Sequence, residues 1–428
     1  MRTIILFFCV LASTQSFAQS GWVLQKSETT DNLLSISTFD GINAVAVGER
    51  GSVTTTDNKG RPTWNRQQSF IASSLNGVTS VSAKILLAVG PKDSVYRSVD
   101  RGVTWSGVRS RVRGECYTLD NIHQLNSIDF DSADRICVAV GDQFEVIFSD
   151  DSGKTWEERL PPLMPSAFPD LRCVSVYGGT VLSAGTTQPE AGISQLLTST
   201  NQGDDWLTTT TNMPGISPIN SGHFFFGCDT KAWITVGDKG SIYHSKNKGL
   251  TWDSIPSWTT ENLNAVRFAP DSLNGFIAGD GGVILATRDG GYNWSREFPP
   301  TKHNLHGVAL VDPFHVYICG DSGIILWTQD GGFSGVRSTG GDIEMDIQTY
   351  PNPLSSKTTI QVFLHQSRQV NLRIFNTLGV EVTTIANSLY DQGLHSFEWN
   401  VGDSPNGIYI CRLESGGQSI FSKMVVAR

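Results

Sequence analysis

Short apolar runs, each ending in glycine, recur along the chain: Val45-Ala46-Val47-Gly48, Leu87-Ala88-Val89-Gly90, Val138-Ala139-Val140-Gly141, Leu182-Ser183-Ala184-Gly185, Thr235-Val236-Gly237, Phe276-Ile277-Ala278-Gly279 and Tyr317-Ile318-Cys319-Gly320. Upstream stand runs such as Leu125-Asn126-Ser127-Ile128 and Leu263-Asn264-Ala265-Val266. Apolar or alternating runs of this length, bounded by Gly and Asp, predict strands.

After each glycine-ended run comes the phrase Ser/Thr-x-Asp-x-Gly-x-Thr-Trp. It is clearest at Ser98, Asp100, Gly102, Thr104, Trp105 and at Ser149, Asp151, Gly153, Thr155, Trp156. Weaker copies are carried by Asn201 with Trp206, Asn247 with Trp252, and Asp289 with Trp294. An early copy is stretched (Asp57, Gly60, Thr63, Trp64), and a last one, Asp330 to Phe333, has no Trp. The seven copies lie 41 to 51 residues apart. A period near 45 with four short strands per unit is the mark of a β-propeller blade. Each unit reads a, b, c, turn, d. A short Asp or Asn side chain accepts from backbone N–H groups just downstream, Gly supplies positive φ, and Trp packs between sheets. The Asp is therefore expected to clamp a hairpin. The competing reading is catalysis or Ca²⁺ binding, and the two Asn copies fit a clamp better.

The phrase resembles the Asp-box, or BNR, repeat of sialidases, sortilin-like receptors and xyloglucanases. The fuller unit, best seen from Gly279 to Trp294, is similar to that of the seven-bladed photosystem II assembly and stability factor family. The resemblance covers roughly residues 21–333. It implies the fold and says little of function, because enzymes and binders share the repeat.

The seventh unit stops without its Trp and its d strand, while Gly21-Trp22-Val23-Leu24-Gln25 looks like an orphan d strand. Residues 21–26 are expected to fill the outer edge of blade 7, which also pairs an exposed edge. The domain reading is thus a propeller over 19–335, a linker over 336–344 and a second all-β module, a small antiparallel sandwich, over 345–428. In that module strands are expected at 358–364, 369–376, 381–386, 395–400, 407–414 and 418–427. Tyr350-Pro351-Asn352-Pro353, Ile374 to Gly379, Gly407-Ile408-Tyr409 and Lys423 to Val426 resemble the type A C-terminal sorting domain of the type IX secretion system. That resemblance implies passage through the outer membrane and a partner in the secretion machinery, with the module often removed afterwards.

The other end carries a matching address. Residues 1–18 have a basic start, an apolar run from Ile4 to Ala12 and Ser16-Phe17-Ala18, which predicts a secretory signal peptide cut after Ala18. The run is too short for a bilayer of ~30 Å, and no later stretch reaches ~20 apolar residues. Export permits disulfides, but sequence cannot choose among pairings of Cys116, Cys137, Cys173, Cys228, Cys319 and Cys411. Cys137, Cys319 and Cys411 sit inside strand-like runs, where a thiol acts as a small buried hydrophobe.

Composition narrows the classes. Of 428 residues only 17% are charged and the formal net charge is −9, too apolar for disorder and too acidic for nucleic-acid binding by net charge. No metal or cofactor motif is found, nor a Ser-His-Asp elbow, His-Glu-x-x-His or phosphate loop. A sialidase-like Arg-Ile-Pro is absent. A glycosidase carboxylate pair is not excluded, since Asp and Glu number 41. Long d–a connections lie on the face opposite the Asp-box turns. One carries Arg109, Arg111, Arg113, Tyr117 and His123, a local basic spot suited to carboxylate or phosphate. The expectation is an exported, non-enzymatic binding propeller whose partner is a protein or polysaccharide. The alternatives are a secreted glycoside hydrolase or sialidase-like enzyme, and a structural surface-layer protein.

Overall fold

In a computed structural model the apolar runs are the b strands of seven four-stranded antiparallel sheets. Residues 21–59, 63–108, 123–159, 169–188, 193–209, 217–226, 231–297, 299–329, 331–332, 345–350, 354–364, 367–391, 393–416 and 418–427 are described. The leader 1–18, the linker 336–344, Cys116 and Cys228 lie outside them. The chain divides into two compact units, Gly21–Gly332 and one that holds Phe333–Arg428.

In the first unit the inner strands a are Leu33–Thr38, Gly77–Ser80, Leu125–Asp131, Asp170–Tyr177, Ile219–Phe226, Leu263–Phe268 and Leu305–Leu310, one per blade. Each packs on the next, and the seventh packs on the first, which closes a ring. The core lies between blades. Phe225 of blade 5 stacks on Phe268 of blade 6 with ring centroids 3.9 Å apart, and Trp294 meets the same ring edge-on. This is a seven-bladed propeller.

Blade 7 takes its outer strand from the other end of the unit. Val23–Gln25 pairs antiparallel with Ile325–Trp327, so the sheet runs N-terminal strand, c, b, a. Trp22 is buried and meets Phe276 of blade 6 edge-on. Gln25 Oε1 accepts from Trp64 Nε1 at 2.7 Å, and Trp64 N donates to Lys26 O, so the same segment also secures the first box Trp.

The box turns are hairpin clamps. Ser149 Oγ accepts from Gly153 N and donates to Asp151 Oδ1, while Asp151 Oδ1 accepts from Lys154 N and Thr155 N. Asp100, Asn201, Asn247 and Asp289 accept from the N–H four residues on in the same way. These hydrogen bonds hold the carboxyls of Asp100 and Asp151 below the usual range against the opposing effect of desolvation, the largest single cause. Gly153 needs its φ of +77°, and a Cβ there would fall 2.3 Å from Leu87 Cδ2. Trp64, Trp156, Trp252 and Trp294 are buried, and Trp105 and Trp206 partly so.

Blade 1 departs from the expected acceptor. Thr56 Oγ1 donates to Asn58 Oδ1, the contact that Ser98 makes to Asp100, so Asn58 and not Asp57 holds the acceptor place. The stretched copy keeps its spacing from the end of strand c and takes up the extra residues downstream. Asp330 lies outside the described residues.

The second unit is a two-sheet sandwich, with Met345–Tyr350, Lys357–Leu364 and Gly393–Asn400 in one sheet. The other, in spatial order, is Glu381–Tyr390, Arg368–Asn376, Gly407–Ser415 and Gln418–Val426. Two differences from expectation stand out. Met345–Tyr350 is a strand that ends on the Tyr of the Tyr-Pro-Asn-Pro stretch, and its Ile347 is buried in one core cluster with Ile360, Leu364 and Leu413. Strand 381–390 also runs four residues further than expected and stays paired with Arg368–Leu372. Gly379 sits at φ +77° in a turn where Asn376 Oδ1 accepts from Leu378 N and Val380 N. Gly407 opens a strand, and Lys423 lies opposite Ile410. Pro351, Asn352 and Pro353 lie outside the described residues.

Four cysteines, Cys137, Cys173, Cys319 and Cys411, are buried free thiols. Burial pushes the first up to about 12, Cys173 to about 11 and Cys411 to about 12. They are packing residues and poor nucleophiles. Among the described residues no helix is long and apolar enough to cross a membrane.

Candidate functional site

The ring has two faces, one with the a–b and box turns and one with the b–c turns and d–a loops. The second is built around a four-residue phrase at the start of every strand a: an apolar anchor, a variable residue, a small residue and, in all but one blade, Ile or Val. Leu125-Asn126-Ser127-Ile128 is one case. The anchors Leu33, Leu75, Leu125, Leu171, Ile219, Leu263 and Leu305 are fully buried. In six blades the pairing register shifts across the variable residue. Such bulges re-aim a side chain, and here they place it at the mouth of the central channel.

The resulting mouth ring is Leu34, Asn76, Asn126, Arg172, Asn220, Asn264 and His306, lining an axial cavity of about 160 Å³. Each Asn amide is a strap to the next blade: Asn76 donates to Leu125 O, Asn126 to Leu171 O, Asn220 to Leu263 O and Asn264 to Leu305 O, at 2.9 to 3.2 Å. Three of these Asn also donate to a b–c turn acid of their own blade, Asp142, Asp238 or Asp280. His306 Nε2 lies 2.7 Å from Asp321 Oδ1 in the same relation. Those four acids, and Glu49 in blade 1, open five matching turns, Glu49–Gly51, Asp142–Phe144, Asp238–Gly240, Asp280–Gly282 and Asp321–Gly323, each with its middle residue at φ between 53° and 63°.

Blade 4 breaks both halves of this pattern. Its mouth residue is Arg172, and Gly185 is followed by Thr186 where five other blades carry an acid and blade 2 carries Pro91. The exposed guanidinium reaches only Asn220 Oδ1, at 3.4 Å, and has no ion pair among the described residues. Deeper in the channel Arg267 of blade 6 approaches Asp129 of blade 3, Nη2 to Oδ1 3.9 Å. Burial raises the Asp129 carboxyl, and Arg267 partly offsets this. Burial, and then Arg267, drive the His223 imidazole well below its ordinary value, so it is neutral.

Two aromatics project from the d–a loops of this face. Phe70 is 100% exposed and Trp258 is 80% exposed at φ +57°. Their loops pack on the b–c turns, since a Cβ at Gly51 or Gly240 would strike Ile71 O or Thr259 O. Between blades 2 and 3, Glu145 is pushed up to about 7 by burial and by the neighbouring Glu158 and Asp93. Asp93 Oδ1 accepts from His123 N, which begins the described part of the chain after the long loop. Arg109, Arg111, Arg113 and Tyr117 lie in that loop, outside the described residues.

Arg172 and the other mouth-ring residues belong to no catalytic motif. Their signal is nevertheless in the repeat: aligned on the buried anchor, four of the seven variable positions are Asn and one alone is Arg.

The fold and the tail define the class, an exported β-propeller carrying a secretion-system sorting module. Residues 348–427 match the family described as "Secretion system C-terminal sorting domain". This type IX secretion tail directs the protein to the cell surface or out of the cell. No curated protein matches the chain. Among solved structures the chain is similar to YCF48 bound to a D1 peptide, with TM-score 0.57, 16% identity, and 72% of this chain and 96% of that one covered. YCF48 from Cyanidioschyzon merolae gives 0.57 and 17%, covering 72% and 98%. PorZ, a surface component of the type IX secretion system of Porphyromonas gingivalis, gives 0.55 and 13%, covering 93% of this chain and 60% of its own. At these identities the likeness is one of fold.

Proposed function

We propose that the protein is an exported, non-enzymatic binding module that docks a partner on the b–c/d–a face, around the mouth of the channel. The carrying observation is how the polar groups of that face are used. The Asn side chains of the mouth are tied to the next blade and the Asp and His side chains to partners within their own, which leaves Arg172 and the exposed Phe70 and Trp258 for a partner. Preset Arg and aromatic groups on a rigid ring are what binding hot spots are made of. Among the described residues the axial cavity has no carboxylate in its lining, whereas glycosidase chemistry needs two facing one cleft. A YCF48 structure holds a peptide, which is in keeping with a protein partner here.

A secreted glycoside hydrolase remains the second reading, favoured by Glu145. A carboxyl that keeps its proton up to about pH 7 beside Glu158 and Asp93 has the property a general acid requires. The test is release of reducing ends from a panel of bacterial and plant polysaccharides by the full chain and by Glu145→Gln. The binding reading expects no turnover by either protein. Turnover lost in the variant would replace it with the enzyme.

A further inference from the structure

The axial cavity has a charge character opposite to that of the whole protein. The chain carries −9, yet the titratable groups that line the cavity among the described residues are Arg172, Arg267, His306 and the buried Cys173 thiol, with no carboxylate. The rest of the lining is amide, hydroxyl, small or apolar: Asn76, Asn126, Asn220 and Asn264 at the mouth, Ser35, Ser127 and Ser221 below them. The hydroxyl oxygens accept backbone N–H bonds from the next blade, at Val78, Val174 and Val266.

Arg172 is the departure that matters. In blades 3, 5, 6 and 7 the polar bulged residue at the mouth donates to the acid of its own b–c turn, and in blade 2, where Pro91 replaces the acid, the mouth residue is the neutral Asn76; in blade 4 alone the acid is absent and the mouth residue is a cation. Either change alone has an ordinary structural explanation. Together they leave a planar, bidentate-capable cation at the rim with its neutralising partner removed. A guanidinium in this state has two N–H donors free to grip a carboxylate. Asn220, whose Nδ2 is fixed by Asp238 and Leu263 O, holds the guanidinium through its Oδ1 and so preorganises it. Arg267, deeper on the axis, adds positive potential along the same line, and its long contact to Asp129 cancels it incompletely.

We propose that the mouth of the axial cavity is a carboxylate-binding site, with Arg172 as its principal ligand and the Asn ring and His306 as its walls. The proposal rests on the binding reading given above. A free small carboxylate and the carboxylate end of a peptide share this chemistry, and the experiment separates them.

The full chain is titrated by calorimetry with malonate, with a short neutral peptide ending in a free carboxylate, and with the same peptide ending in an amide. Arg172→Ala and Arg172→Lys are run in parallel. Arg172 is exposed, so both variants are expected to keep the wild-type melting temperature. Wild type should bind malonate, the acid peptide or both. Arg172→Ala should bind roughly tenfold more weakly or worse, with Arg172→Lys between them. Malonate binding without added affinity for the peptide assigns the site to free carboxylates; tighter binding of the acid peptide assigns it to chain ends. Equal affinity for acid and amide peptides without binding of malonate, equal affinity of wild type and Arg172→Ala, or no binding of any probe would overturn the proposal. If the site fails while Trp258→Ala still loses a surface partner, the binding reading stands without it.

Discussion

Closure of blade 7 by the N-terminal strand makes a prediction that can be worked through. The perturbation is Trp22→Ala. Trp22 is 3% exposed, packs among Phe276, Ala278, Ile284, Leu305 and Leu326, and meets Phe276 edge-on with centroids 6.0 Å apart. Truncating a buried Trp costs about 3–5 kcal/mol, because both the apolar contacts and the cavity left behind count against the fold. For a unit spanning Gly21–Gly332 the unfolding entropy is about 0.65 kcal/mol/K, so the melting temperature should fall by about 5–8 °C. The control is Trp258→Ala, the same substitution at a side chain 80% exposed, which should stay within about 0.5 kcal/mol of wild type. Circular dichroism melts of the three proteins make the comparison. If Trp22→Ala melts with the control, the strand is an appendage and the ring is closed by something else.

Two further outcomes follow from the same structure. Glu145 has its folded pKa raised from 4.5 to about 7, so the stability it confers is full below about pH 4.5 and is lost as pH rises through about 7. Glu145→Gln should therefore gain about 1–3 kcal/mol on wild type between pH 4.5 and pH 8, the range allowing for partial exposure; an equal offset at both pH values would contradict this. Asp151→Ala removes an acceptor of two backbone N–H bonds and two hydroxyl bonds and should cost about 1–2 kcal/mol, whereas Asp57→Ala, at a box position taken by Asn58, should cost little. Equal losses in a chemical-denaturation series would mean that Asp57 is the clamp after all.

The ring was readable in the sequence because its physics repeats. One box phrase per blade, with a Gly at positive φ in the turn and a Trp opening strand d in most copies, gives a period that survives many substitutions. The sandwich was readable from its alternation, though the edge strand Met345–Tyr350, with Ile347 buried in the core, does not stand out from it. Asp57 was mistaken for the acceptor because an insertion separated the start of the phrase from its end. The site was harder to read. Arg172 is informative only against what the other blades place at the same bulge, and that comparison needs the register the structure supplies. Glu145 looks ordinary in sequence, and its shifted carboxyl depends on neighbours from blade 2 and from its own d strand.

The account stands or falls on the b–c/d–a face being where a partner docks. The direct measurement is affinity capture of cell-surface and supernatant proteins on three immobilised full-length chains. These are wild type, the loop-face variant Arg172→Ala/Trp258→Ala, and Leu250→Ser on the box-turn face, where Leu250 is also exposed. The prediction is a discrete partner retained by wild type and by Leu250→Ser and lost from the loop-face variant. A partner kept by the loop-face variant, or lost only with Leu250→Ser, would place the binding surface on the other side of the ring and contradict the central claim.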